Sequence, residues 1–89
     1  MADYPSNFRY QSSDQTLHWD GVEGAIEYEI EYSTDPQKVE WQIAYTGGND
    51  TFCIFIHSQG TYSVRGRTRD KGPWGIYGPI EYVEVVVEP

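Results

Sequence analysis

The sequence predicts an all-β protein, a seven-stranded antiparallel sandwich of two packed sheets. Three observations predict it. Apolar and polar residues alternate over short runs, the period of a half-buried strand. Turn residues punctuate these runs at intervals of roughly ten residues, the repeat of a small sandwich. Aromatic residues make up 16% of the chain, with eight Tyr and three Trp, and such rings fill a thin core between two sheets. No stretch sustains a helical period: Gly24-Ala25-Ile26-Glu27-Tyr28 would begin a short turn, and nothing extends it.

The strands follow in order. The first runs from Asn7 to Gln11. The second covers Gln15 to Trp19, with Leu17 and Trp19 on one face, and ends at a loop containing Asp20-Gly21 and Gly24. The third covers Glu27 to Ser33: Tyr28, Ile30 and Tyr32 point inward, and Glu27, Glu29 and Glu31 point outward. Asp35-Pro36 breaks it. A fourth strand covers Glu40 to Tyr45 and stops at Gly47-Gly48-Asn49-Asp50. The fifth covers Thr51 to Ile56; both its faces are apolar, and Phe52 and Ile54 are taken as inward. Gly60 turns the chain into the sixth, Thr61 to Arg69, and Lys71-Gly72-Pro73 forms the next turn. The seventh covers Ile80 to Val87, with Val83, Val85 and Val87 inward. Its segment from Tyr82 to Val87 reads as an apolar edge on which Glu84 and Glu88 limit uncontrolled pairing.

The sixth strand carries the most distinctive pattern. Tyr62, Val64, Gly66 and Thr68 share one face; Arg65, Arg67 and Arg69 line the other. A row of guanidiniums needs partners. The outward Glu29 and Glu31, with Glu27, would supply charge if the third and sixth strands are neighbours, at roughly 0.2–1 kcal/mol per cross-strand pair. Trp74 and Tyr77 lie just downstream, and Arg over an aromatic face contributes about 0.5–1 kcal/mol at an exposed site. Such a ladder stiffens a sheet and performs no chemistry. The core is expected to comprise Leu17, Trp19, Tyr28, Ile30, Tyr32, Tyr62 and Val64. Trp41, Tyr45 and Tyr82 are the candidates for an exposed binding surface, where planar rings stack on sugars or meet a protein. The competing structural reading places Trp41 as a cap on a sheet edge and Trp74 within the ladder.

Composition narrows the function classes. The chain has 89 residues, which implies one domain over residues 1–89. Its net charge of −8, from six basic and fourteen acidic residues, disfavours nucleic acid, whose phosphates require clustered Lys and Arg. Cys53 is the single cysteine, so no disulfide forms within the chain, and it sits in an apolar run as a small hydrophobe. His18 and His57 offer no metal-ligand spacing. Asp14, Asp20, Asp35, Asp50 and Asp70 fall at turns, the ordinary place for Asp, and no dense acidic loop suggests calcium. No nucleophile triad, phosphate loop or zinc-protease motif appears. No catalytic residue, cofactor or metal is expected. Asn49-Asp50-Thr51 fits a glycosylation sequon. The start of the chain lacks a basic then apolar leader, and no apolar run reaches membrane-spanning length. The chain is therefore read as a domain cut from a longer protein or as a free-standing product made in the cytoplasm.

These residues resemble a fibronectin type III domain over nearly the whole chain. Pro5 precedes the first strand, and Trp19 is similar to the family's core Trp. Tyr28-Glu29-Ile30-Glu31-Tyr32 looks like its third strand, and Gly60-Thr61-Tyr62-Ser63-Val64 looks like its sixth. Trp74-Gly75-Ile76-Tyr77-Gly78 is similar to a degenerate WSxWS motif, with Gly for both Ser and Tyr for the second Trp. The resemblance implies an immunoglobulin-like β-sandwich of fibronectin type III type. It implies a tyrosine corner at Tyr62, whose hydroxyl would bond backbone upstream, and an aromatic segment interleaved with the arginines. The paired cysteines of cytokine-binding members and an Arg-Gly-Asp loop are both missing. The function implied is an interaction or spacer module that contacts proteins in an extracellular or virion assembly. Phage tail or capsid decoration, cell adhesion and a glycan-binding accessory module of a polysaccharide-degrading enzyme are the related alternatives. Protein partners are expected, with glycan as a further option and an oligomer allowed within an assembly.

Overall fold

The alternating runs become seven strands in the computed structural model, which describes residues 4–87. They are β1 (Ser6–Gln11), β2 (Thr16–Asp20), β3 (Glu27–Ser33), β4 (Gln42–Gly48), β5 (Phe52–Ile54), β6 (Gly60–Arg69) and β7 (Glu81–Val85). One sheet has the order β1-β2-β5 and the other β4-β3-β6-β7, with antiparallel pairing throughout. Glu88 lies outside the described residues.

The core forms where the inward faces meet. Phe8, Leu17, Trp19, Cys53 and Phe55 come from the three-stranded side; Tyr28, Ile30, Tyr62, Val64, Val83 and Val85 come from the other. Trp19 is the centre, with the rings of Phe8, Tyr28 and Tyr45 packed around it at 5.5–6.2 Å between centroids. Each fully buried side chain of this kind contributes about 1.5–3 kcal/mol. Tyr32 is half-buried and packs edge-on against Phe55 at 5.1 Å. At the same end, the Tyr62 hydroxyl donates to the Ser58 carbonyl at 2.7 Å, tying β6 to the loop that leads into it.

Three devices close the sandwich. Gly66 on β6 faces the core, and a Cβ there would lie 2.5 Å from Pro5 Cγ and 2.6 Å from Ile30 Cδ1, so the bare backbone seats the Pro5 ring. The Glu81 carboxylate accepts the amides of Asn7 and Phe8 at 3.1 and 2.9 Å, which links β7 to the irregular start of β1 across the open side of the sandwich. Asp35 accepts three amides, from Gln37, Val39 and Glu40, and so shapes the β3–β4 connection.

Three expectations are corrected. Phe52 and Ile54 point outward, not inward: Leu17 pairs directly with Cys53, opposed residues share a face, and Leu17 is committed to the core. Val87 is exposed because β7 ends at Val85. The fourth strand starts later and runs through Gly48, because the Asp35 turn holds the Glu40 amide and the Ser33 hydroxyl bonds its carbonyl.

Filling the space at Gly66 provides the most direct test of this packing. Gly66→Ala is expected to lose about 1–3 kcal/mol through overpacking against Pro5 and Ile30. Tyr62→Phe is expected to lose about 1 kcal/mol with its hydrogen bond to Ser58. Urea unfolding followed by tryptophan fluorescence measures both.

Candidate functional site

The outer face of the four-stranded sheet gathers the largest set of functional side chains. β3 and β6 pair so that Glu27 opposes Arg69, Glu29 opposes Arg67 and Glu31 opposes Arg65. Strand geometry sends all six side chains to the same face. Arg67 donates to Glu29 Oε1 from Nε at 3.0 Å and from Nη2 at 2.6 Å. Arg69 binds Glu27 through two nitrogens, and Arg65 Nε donates to Glu31.

Aromatic rings fill the gaps between the guanidiniums. The segment after β6 runs back along it, held by amides of Gly75 and Gly78 that donate to the carbonyls of Thr68 and Gly66, each at 2.9 Å. This sets Trp74 against Arg67 and Arg69, at 5.0 and 5.2 Å from ring centroid to guanidinium carbon. Tyr77 lies between Arg65 and Arg67, 4.7 Å from each. Trp41, from the β3–β4 connection, covers Arg65 at 4.1 Å, and its Nε1 donates to the Lys38 carbonyl. The stack therefore reads Trp41, Arg65, Tyr77, Arg67, Trp74, Arg69.

Glu29 is its electrostatic centre. Burial acts to raise its carboxyl, but hydrogen bonds from Tyr77 and Arg67, the Arg67 charge and a bond from Thr46 outweigh it, so the carboxyl is held below its ordinary value. The Tyr77 hydroxyl donates to Glu29 at 2.6 Å; burial, this bond and the charges of Glu31 and Glu29 push its ionisation far up. The ladder is thus a charged surface whose carboxylates and guanidiniums are paired with one another.

The three candidate surface aromatics separate. Trp41 belongs to the ladder. Tyr45 packs on Trp19, and its hydroxyl accepts the Asp50 amide at 3.1 Å while meeting the Asp50 carboxylate at 3.2 Å. Tyr82 alone of the three is well exposed, with Lys38 Nζ 5.8 Å from its ring centroid. Trp41 escaped assignment to the ladder because it comes from a connection distant in sequence. The sequence reasoning also missed the outward stripe of Phe52 and Ile54 on β5 and Ile56 just beyond it, 49%, 71% and 64% exposed, for which the pairing of Leu17 with Cys53 was the missing signal.

At one end of the sandwich, the β2–β3 and β6–β7 connections flank an open groove of about 290 Å³ lined by Val22, Glu23, Ala25, Arg69, Asp70 and Pro73. Among the described residues, no group of three or more His, Cys, Asp or Glu is placed to hold a metal ion. Cys53 is buried, and desolvation pushes its thiol up to about 11. His57 is packed among Tyr32, Phe55 and Tyr62, and burial lowers its pKa.

These shifts fix the acid response. A depressed pKa means stability that is present above the unfolded value and lost as pH falls through the folded value. Acidification should therefore weaken the fold first below about pH 6.5 through His57, and again below about 4.5 through Glu29. Thermal melts at stepped pH measure this, and Glu29→Gln is expected to flatten the lower step while leaving the upper one. Arg67→Lys is expected to lose about 1–2 kcal/mol, since a lysine gives up the fork to Glu29 and the stacking on both rings; denaturant midpoints and the near-UV signal of Trp74 report it.

No family model and no curated protein matches the sequence. Among solved structures, the chain is similar to an Fn3-like protein from Clostridium thermocellum, known from its crystal structure. The two are 16% identical and superpose with a TM-score of 0.71 over 97% of this chain and 95% of that one. A likeness at that identity speaks to the fold alone. The chain folds as a seven-stranded antiparallel, immunoglobulin-like β-sandwich of fibronectin type III type.

Proposed function

We propose that this chain is a non-catalytic interaction and spacer module, making protein–protein contacts in a larger extracellular or virion assembly. One observation carries the reading: the side chains best suited to chemistry or to sugar stacking are already committed to one another. Trp41, Trp74 and Tyr77 hold guanidiniums against their faces, and Glu27, Glu29 and Glu31 are ion-paired. A stiff sheet then presents what remains free, the end loops and strand edges, at fixed geometry.

The end groove is one such display surface. Glu23 and Asp70 flank it on exposed loops, and the chain carries a net charge of −8, so a basic protein surface is the complementary partner. A glycan role on the ladder face would need its rings to surrender their arginines.

Cross-linking of the native assembly, followed by mass spectrometry, tests the reading. A partner's lysines are expected beside Glu23 and Asp70, and Glu23→Lys with Asp70→Lys should weaken that contact about tenfold or more, as should added salt. Turnover of a substrate by the isolated chain would overturn the proposal. So would a polysaccharide affinity that disappears in Trp74→Ala while the fold survives.

A further inference from the structure

The free edge of β5 has the chemistry of a self-pairing strand. β5 ends the three-stranded sheet, and no further strand pairs with it among the described residues. The Trp19 amide donates to the Thr51 carbonyl and the Phe55 amide to the Gln15 carbonyl. Residues 51, 53 and 55 therefore turn their backbone groups toward β2. Backbone direction alternates along a strand, so Phe52 and Ile54 turn their amides and carbonyls to the open edge, and Ile56 lies two residues beyond the end of β5. The same three side chains stand out on the solvent face, each about half exposed or more. An unpaired edge and an apolar stripe thus coincide on the same residues.

We infer that β5 pairs antiparallel with β5 of a second copy of this chain about a two-fold axis at Ile54, joining two three-stranded sheets into one. The register is self-complementary. Centring it on Ile54 sets Phe52 opposite Ile56, an aromatic on a β-branched side chain, which is a favourable cross-strand pair. Thr51 then faces His57, and Asp50 faces Ser58. No carboxylate meets a carboxylate, although the whole chain carries −8. From Thr51 to Ser58 the edge holds no Asp, Glu, Lys or Arg, so it is a stretch at which two such acidic molecules can touch without local repulsion. An isologous pair consumes the edge of both copies, so association closes at the dimer. With three large apolar side chains per copy, the interface sits at the small end of specific contacts, and the dimer forms reversibly with concentration.

The net charge of −8 sets the sign of the salt effect. Added salt screens the repulsion between two acidic bodies and so strengthens this dimer, whereas it weakens a contact between the acidic end groove and a basic partner. Failure of one reading is thereby distinguishable from failure of the other.

Sedimentation velocity over a range of concentration and salt tests the inference, using the intact chain. The expected result is a monomer of 10.2 kDa at low concentration that converts to a species of twice that mass, more readily in salt. Ile54→Lys should remain monomeric throughout, with wild-type circular dichroism and melting. Ile54→Cys should form a disulfide-linked dimer under mild oxidation, because a hydrogen-bonded antiparallel pair spaces its Cα atoms at about 5.5 Å, within disulfide reach. Ile76→Cys, at a site 80% exposed and away from β5, should not. A wild type that stays monomeric at high concentration and salt would overturn the inference. So would a dimer that persists in Ile54→Lys, or equal cross-linking at positions 54 and 76.

Discussion

The register between β3 and β6 is the constraint on which the other features depend. Ile30 opposite Gly66 and Tyr32 opposite Val64 commit one face of the pair to the core. With that face fixed, Glu27, Glu29 and Glu31 meet Arg69, Arg67 and Arg65 on the other. A slip of β6 by one residue would bury its three arginines and expose Tyr62 and Val64. The hydrophobic face and the ionic face therefore select the same pairing. The aromatic segment after β6 then has one place to lie, since Trp74 and Tyr77 must fall between guanidiniums spaced two residues apart.

Magnitudes separate what holds the fold from what specifies it. Burial of the core side chains, at about 1.5–3 kcal/mol each, dominates the favourable terms. The three ladder pairs keep side chains that are only part-buried, with arginine exposures of 29–39%, so each pair contributes far less than a core residue. What the ladder adds is order: a guanidinium such as Arg67, held by a carboxylate oxygen and by two ring faces, has few alternative positions. That order is what the proposed spacer role would draw on.

Much of this was legible in the sequence wherever period two met a strong partner signal. Tyr28, Ile30, Glu29 and Glu31 on β3, and Val64, Arg65 and Arg67 on β6, declare their faces by alternation alone. β5 did not, because Phe52-Cys53-Ile54-Phe55-Ile56 is apolar on both faces and its orientation is decided by Leu17 across the strand. Nor did Trp41, whose stacking on Arg65 depends on how the Asp35 turn folds the β3–β4 connection back over the sheet. In both cases the deciding contact lies far away in the chain, where local pattern has no access to it. Gly66 belongs to the same class: its reason is the Pro5 ring, visible only once the chain start is packed against β6.

The sheet edges show how an acidic sandwich divides its surface. β7 has Val83 and Val85 turned inward, Glu84 turned out, and Glu81 spent on the amides of β1, so its apolar content is hidden and its edge is charged. β5 has the opposite arrangement, with small Cys53 turned inward and Phe52 and Ile54 turned out, and no charge between Asp50 and the end of the segment at Ser58. The ladder face is closed by its own contacts. A long-range charge of one sign keeps other faces of two copies apart, and it acts least where the local surface is neutral. The two contacts proposed above therefore differ in kind: an apolar edge favoured by salt, and a loop end favoured by opposite charge.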